Sequence, residues 1–289
     1  MAEVARWSAV GRERDLGIGG VRVWRADVAS RRAFFAGGPD RNATAARYHS
    51  MRCARERRLL WLRRLANTAE ARTLAAAALA GVGLWALLHL GGEMREGETL
   101  AFDRQIILAL RMPGHSHKPI GPAWFTDALR DVTALGGTTI IALATIMAAA
   151  ALLYRRHWRR ALVLIVVVVL ANASDDGLKA LYNRVRPDYA VAGLYLSPHS
   201  FPSGHSTASA ALWLTLGAIA ASFEPRTDAK VFWFVMAIAT ILAVGFSRVY
   251  LGAHWPTDVL AGWILGAIWA LIGWAVWHGL PARWRGQAR

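Results

Sequence analysis

Apolar and polar positions alternate along this chain in long blocks. Six apolar blocks carry few charges and come close to the length of about 18 residues or more that a membrane-spanning helix requires. Lipid demands that every backbone polar group be paired internally, and runs of this length favour helices. We therefore predict an all-α polytopic membrane protein with six transmembrane helices in a bundle. The predicted spans are residues 72–91, 134–154, 160–180, 206–223, 231–249 and 258–279.

The polar blocks define three regions of the chain. Residues 1–70 form a basic N-terminal segment, residues 71–280 hold the six-helix domain, and residues 281–289 form a basic tail. The long segment between the first two spans contains Phe102-Asp103-Arg104-Gln105 and later Met112-Pro113-Gly114. We expect one or two short helices there, lying at the membrane interface.

Basic and apolar residues are interleaved over Met51–Leu65, where six arginines alternate with leucines and Trp61. This pattern is typical of an amphipathic helix that lies on anionic lipid headgroups. The residues before Pro39 contain several glycines and are predicted to be weakly structured.

The formal net charge of +15 is interpreted as a consequence of membrane topology. Basic residues cluster beside apolar runs, and no interleaved recognition motif accompanies them, so we predict no nucleic-acid partner. Six spans place the basic N-terminal segment, the gap Arg155–Arg160 and the tail on one side, which should be the cytoplasm. The expected location is a bacterial inner membrane. The sequence leaves the oligomeric state open.

Cysteine and metal-ligand patterns limit the chemistry. Cys53 is the only cysteine, which excludes an intrachain disulfide and a cysteine-based metal cluster. His, Cys and carboxylate residues do not recur at metal-ligand spacing, so we predict no catalytic metal and no cofactor.

The first polar motif lies at the end of the third predicted span. Lys179 and Arg186 are separated by six residues, and Pro187 stops a continuing helix. An arginine fork and a lysine point charge both suit phosphate oxygens. Alternatively, both are snorkelling residues at a helix end, although basic residues are usually depleted on the outer face.

The second motif is Pro202-Ser203-Gly204-His205, directly before a run of small residues. Pro and Ser suit a helix start, where unpaired amides favour an anion, and Gly204 allows a ligand to approach the backbone. His205 could protonate a leaving oxygen. An ordinary capped helix start is the alternative.

The third motif joins the last two spans. Arg248 adds a third cation, and His254 and Asp258 are four residues apart. If a helix begins near Pro256, the two side chains can face each other. A carboxylate bonded to one imidazole nitrogen would leave the other nitrogen free to attack.

The three motifs together resemble the type 2 phosphatidic acid phosphatase superfamily, which includes glucose-6-phosphatases and vanadium-dependent haloperoxidases. The family signature is Lys, six residues, Arg-Pro; then Pro-Ser-Gly-His; then Ser-Arg, five residues, His, three residues, Asp. This chain matches every position, and the resemblance covers roughly residues 72–279. It also includes Phe102-Asp103 and Ala134–Gly137.

The resemblance implies a role for each motif residue. It implies that His254 is the nucleophile, that Asp258 orients it and that His205 is the general acid. The implied phosphate-binding residues are Lys179, Arg186, Ser203, Gly204 and Arg248.

The expected function is hydrolysis of a lipid phosphate or diphosphate at the outer leaflet, through a phosphohistidine and without metal. Undecaprenyl diphosphate, phosphatidic acid and phosphatidylglycerol phosphate are the candidate substrates. A lipid phosphotransferase that uses the same site stays open as an alternative. A haloperoxidase, or a transporter or scaffold that retains the motifs, is disfavoured because spans dominate the chain and the motifs are intact.

Overall fold

The structure of this protein is a computed structural model that describes residues 69–279, except for 192–193 and 195–196. The predicted amphipathic helix at Met51–Leu65, Cys53 and the tail at 281–289 lie outside the described residues.

The described chain is mostly helical. Eight helices and one small hairpin follow one another in the order α1 (Ala69–Glu96), α2 (Leu100–Ala109), β1 (Arg111–Met112), β2 (His115–Pro119), α3 (Ala123–Ala134), α4 (Thr138–Tyr154), α5 (Trp158–Tyr182), α6 (Gly204–Ala221), α7 (Thr227–Tyr250) and α8 (Pro256–Gly279).

The hairpin is a departure from the all-α prediction. Strands β1 and β2 pair antiparallel, with Met112 opposite His115 across a turn formed by Pro113 and Gly114. Gly114 has a φ of +79°, which suits the second central position of a type II turn, where Pro commonly precedes it. The pair was too short to produce an alternating apolar pattern in the sequence. Two short helices, α2 and α3, lie on either side of this hairpin, and their place at the membrane interface stays a prediction.

The number of membrane spans stays a prediction. Among the described residues, four helices are long and apolar enough to cross a membrane: α1, α5, α7 and α8. A fifth span is possible if α3 and α4, which are bent by 47° at their junction, act as one. Helix α6 has 18 residues, but His205, Ser206, Thr207 and Ser209 make its first turns polar.

Helices α6 and α8 pack closely because small residues meet at their contact. A Cβ atom added to Gly262 would stand 2.6 Å from the Ser203 carbonyl oxygen, and one added to Gly266 would stand 2.6 Å from Ala210 Cβ. Glycines four residues apart allow two helices to approach in this way. Close packing of these helices brings the start of α6 beside the start of α8.

Large apolar side chains are exposed along whole faces of the long helices. On α1 these are Leu74, Leu79, Val82, Trp85 and Leu88, and on α7 they include Phe232, Val235, Ile238 and Leu242. In water such faces would be costly. They are expected where lipid covers the helix. Where helices pack against one another, the buried residues are small or branched, such as Ala208 and Leu212 of α6.

Candidate active site

The ends of four helices meet at one end of the bundle and bring the three polar motifs together. Lys179 closes α5, His205 opens α6, Arg248 lies in the last turn of α7, and Asp258 lies in the first turn of α8. Several direct contacts join the motifs. Arg186 Nη1 lies 2.9 Å from His254 Nε2, for example, and the Ser203 amide donates to the Asp258 carbonyl oxygen at 2.9 Å.

Lys179 is held by an acidic partner one helical turn earlier. Its ammonium group donates to Asp175 Oδ2, and Thr207 Oγ1 donates to the other Asp175 oxygen at 3.0 Å. Asp175 is therefore a structural partner of Lys179, whereas the neighbouring Asp176 is exposed. A Cβ atom on Gly204 would stand 2.9 Å from Lys179 Nζ, so glycine is needed for this approach.

The two ring nitrogens of His254 have partners that assign the tautomer. Nδ1 lies 2.9 Å from the Ser200 carbonyl oxygen, which can only accept, so Nδ1 carries the proton. Nε2 faces the Arg186 guanidinium, which can only donate, so Nε2 holds its lone pair. His254 is 2% exposed. The buried imidazole therefore presents a nucleophilic lone pair beside a cation.

The surroundings of His254 favour its neutral form. Burial lowers the pKa of His254 well below its ordinary value of 6.5, and the positive charges of Arg248, Arg186 and Lys179 lower it further. The backbone bond to Ser200 opposes this shift. A neutral imidazole can attack phosphorus, and a protonated one cannot.

Asp258 lies beside His254 but is bonded mainly to other groups. Its Oδ2 is 3.5 Å from His254 Nδ1 and accepts from the Trp255 amide at 3.0 Å. Its Oδ1 accepts from Arg184 at 2.5 Å. The orienting bond was expected from Asp258, whereas the short bond from Nδ1 goes to the Ser200 carbonyl group. The carboxylate adds negative charge behind the ring.

Arg248 is nearly enclosed, with 4% of its surface exposed. Its Nη1 donates to Thr133 Oγ1 of α3 at 3.1 Å, while Nε is buried and has no hydrogen-bond partner among the described residues. An unsatisfied buried donor of a charged group is costly. A phosphate oxygen is the kind of acceptor that would satisfy it.

Ser203 precedes α6 but does not cap it with its side chain. Its hydroxyl accepts from Ser206 Oγ at 3.1 Å and is fully buried. The first turn of α6 thus keeps the partial positive charge that attracts an anion. His205 follows directly, and its carbonyl and Cβ pack against Gly136, where an added Cβ would clash at 2.8 Å.

Two groups that hold the motifs in place were not predicted from the sequence. These are Ser200, whose backbone oxygen contacts His254, and Arg184, which joins Asp103 to Asp258. A contact made by a backbone carbonyl group cannot be predicted from the residue type. Arg184 could have been singled out, because it is a second arginine on the face where basic residues are normally depleted.

The sequence of this chain is similar to those of known phosphatases. A sequence model of the PAP2 superfamily matches residues 160–282. Phosphatidylglycerophosphatase B of Bacillus subtilis is 32% identical over 147 residues, which are 50% of this chain and 71% of that protein. Undecaprenyl-diphosphatase of Sulfolobus acidocaldarius is 40% identical over 86 residues, which are 30% of this chain and 37% of that protein. The chain thus spans well under half the length of the second relative.

The fold is also similar to that of a solved structure. The transmembrane PAP2 type phosphatidylglycerolphosphate phosphatase from Bacillus subtilis superposes with a TM-score of 0.64 at 25% identity. The match covers 70% of this chain and 98% of that one.

The bundle with its site at four helix ends is the architecture of an integral membrane phosphatase. The chain belongs to the PAP2 superfamily and is a phosphoric monoester or diphosphate hydrolase.

Proposed function

We propose that the protein is a lipid phosphatase that removes a phosphoryl group from a lipid phosphate or diphosphate at the outer leaflet. The observation that carries the proposal is the buried neutral His254, whose Nε2 lone pair accepts from Arg186 Nη1 at 2.9 Å. Undecaprenyl diphosphate, phosphatidic acid and phosphatidylglycerol phosphate are the substrates to compare.

In the first step, His254 Nε2 attacks phosphorus and forms a nitrogen–phosphorus bond. The phosphorus–oxygen bond to the leaving group breaks, its electron pair stays on that oxygen, and His205 donates a proton to it. Lys179, Arg186 and Arg248 stabilise the charge on the other three oxygens, with the start of α6. Ser203 and the Gly204 amide complete this phosphate cradle.

In the second step, water attacks phosphorus and His205 takes up the water proton. The nitrogen–phosphorus bond then breaks, and inorganic phosphate leaves. The reaction is proposed to need no metal, since three fixed cations surround the phosphate position. Among the described residues, His, Cys, Asp and Glu side chains form no group of three that could hold a metal ion.

The hairpin offers space for a polar headgroup beside this cradle. A cavity of about 820 Å³ is lined by residues that include His115, His117 and Lys118. It adjoins the site along α3, because Arg130 lines the cavity and Thr133, one turn further, contacts Arg248. We propose that the group beyond the scissile phosphate lies here while the lipid tail stays in the bilayer.

The test is release of inorganic phosphate by the purified full chain in detergent with EDTA. We expect turnover of at least one of the three lipids, inhibition by vanadate, and loss of turnover in His254→Ala. Asp228→Asn, which changes an exposed aspartate in the first turn of α7, serves as the control and should retain the wild-type rate.

Each part of the proposal has its own contradicting result. No phosphate from any of the lipids would overturn the proposed function. Activity that disappears in EDTA and returns with a divalent cation would overturn the metal-free step. If an added alcohol becomes phosphorylated in place of water, the protein is a phosphotransferase that uses the same cradle.

A further inference from the structure

A buried three-residue network lies behind the nucleophile. Arg184 Nη2 donates to Asp103 Oδ2 at 2.7 Å, and Arg184 Nη1 donates to Asp258 Oδ1 at 2.5 Å. The Arg184 side chain is 8% exposed, and both carboxylates are fully buried. Burying two carboxylates that share one guanidinium costs solvation free energy. A functional role would explain why the protein keeps this arrangement.

Asp103 also holds the start of α8 from a distant helix. Its Oδ1 accepts from the Thr257 amide at 2.9 Å, and its Oδ2 accepts from Thr257 Oγ1 at 2.6 Å. Asp103 belongs to α2, 154 residues earlier in the chain. It therefore does for α8 what an N-cap residue does, with a full negative charge at the positive end of the helix.

The start of α8 carries the two groups that the reaction uses. His254 lies two residues before Pro256, and Asp258 Oδ2 turns back to the Trp255 amide at 3.0 Å. A shift of α8 by a fraction of an ångström would move both side chains. Arg184 and Asp103 fix this segment through their hydrogen bonds to Thr257 and Asp258.

We propose that Asp103 and Arg184 are positioning residues that set the geometry and the field of His254 through Asp258 and the start of α8. This inference rests on the proposed phosphohistidine reaction. Neither side chain touches the phosphate in it. Asp103 supplies negative charge to the network, and Arg184 supplies the positive charge that joins the two carboxylates.

The first test measures steady-state turnover of Asp103→Asn and Arg184→Gln on the best lipid substrate. We expect kcat to fall about 10- to 100-fold, as for other residues that orient a reacting group, while KM changes by less than about threefold. Matched controls are Asp228→Asn and Arg226→Gln, which break an exposed aspartate–arginine pair. Exposed pairs contribute little, so both controls should stay within about twofold of wild type.

The second test is the pH profile of kcat/KM. If the two residues were merely structural, loss of a negative charge and loss of a positive charge would not shift this profile in opposite directions. Activity falls in acid when His254 becomes protonated. Removal of the Asp103 charge disfavours the imidazolium, so the acid limb should move to lower pH. Removal of the Arg184 charge favours the imidazolium, so the acid limb should move to higher pH. The other charged or titratable groups around His254 stay the same in both variants: Lys179, Arg186, His205, Arg248 and Asp258.

Thr257 keeps the inference testable if the charge variants fail to fold. Thr257→Val removes the hydroxyl that joins Arg184 and Asp103, while Thr257→Ser keeps it. We expect the valine variant to lose kcat and the serine variant to restore most of it.

Two results would overturn the inference. One is wild-type kcat in folded Asp103→Asn, or in Thr257→Val when Asp103→Asn does not fold. The other is an acid limb that stays in place or moves in the same direction in both charge variants. Failure of the proposed function is separate, because wild-type protein would then release no phosphate.

Discussion

The chemistry of this site depends at the residue scale on which nitrogen of His254 carries the proton. The Ser200 carbonyl oxygen accepts from Nδ1, and the Arg186 guanidinium faces Nε2. One partner can only accept and the other can only donate, so only one neutral tautomer satisfies both. In the proposed reaction, this tautomer fixes Nε2 as the attacking atom before the substrate binds.

The same burial predicts a pH-dependent stability. The pKa of His254 is held well below 6.5 when folded, whereas an unfolded histidine titrates near about 6.5. Between those values the unfolded state binds more protons, so the free energy of unfolding falls as pH falls below about 6.5, by up to about 1.4 kcal/mol per pH unit. At higher pH the contribution of His254 is constant.

The measurement is the midpoint of thermal unfolding in detergent for wild type and His254→Gln. We expect the wild-type midpoint to drop more than that of the variant between about pH 7.5 and 5.5. His117→Gln, which changes an exposed hairpin histidine, should follow wild type. Parallel curves for wild type and His254→Gln would show that His254 is not held neutral by the fold.

Helix ends are the elements that carry function here. The last turns of α5 and α7 supply Lys179 and Arg248, and the first turns of α6 and α8 supply His205 and Asp258. Arg186 and His254 lie in the loops next to these helix ends. Cations at a helix C-terminus and an anion site at a helix N-terminus both agree with the helix dipole. The long apolar stretches of these helices hold the four ends at fixed separations.

The start of α6 gives a prediction at this scale. In Gly204→Ala the new Cβ would stand 2.9 Å from Lys179 Nζ and 3.1 Å from Asp175 Oδ2. Lys179 is long and flexible, so it can move away with little cost in stability. We expect the phosphatase rate to fall by about 10-fold or more, because small misplacement of a catalytic group is costly, while the unfolding midpoint changes little.

Gly81→Ala is the matched control for this change. Gly81 lies on α1 and has open space where a Cβ would stand, so alanine should leave the rate unchanged and favour the helix slightly. An equal loss of rate in both variants, or normal activity in Gly204→Ala, would contradict the role given to the Lys179 approach.

The same elements show how far the sequence could lead. Long apolar runs predicted every long helix with small errors at the ends; the span predicted at 160–180, for example, is part of Trp158–Tyr182. Motif spacing predicted which residues would meet, because the motifs fall at helix ends. The β1–β2 hairpin, the Ser200 carbonyl bond and the capping of α8 by Asp103 depend on tertiary contacts between distant segments. Such contacts cannot be predicted from the local pattern of residues.

At the scale of the whole molecule, the site lies at one end of the bundle, and the Arg155–Arg160 gap lies at the other. Helix α5 runs from Trp158, beside that gap, to Tyr182, beside the site. Basic loops favour the cytoplasm. The site and the hairpin should therefore face the exterior or periplasm, within reach of outer-leaflet lipids.

This orientation can be tested with single cysteines in a Cys53→Ala background. Ser116→Cys at the exposed hairpin should react with a membrane-impermeant maleimide on intact cells. Asp228→Cys, at an exposed position in the first turn of α7, should react only after permeabilisation. The reverse pattern would place the site in the cytoplasm, and labelling of both positions on intact cells would contradict the span count between them.

The central claim is a covalent phosphohistidine on His254, and rapid acid-free quenching during turnover tests it most directly. The quenched protein is digested, and its peptides are analysed by mass spectrometry for a phosphoryl group. We predict a phosphoryl group on His254 that is stable in base and labile in acid, and that is absent from the His254→Asn variant. Full turnover with no phosphoryl group on His254, or with one on another residue, would contradict the account.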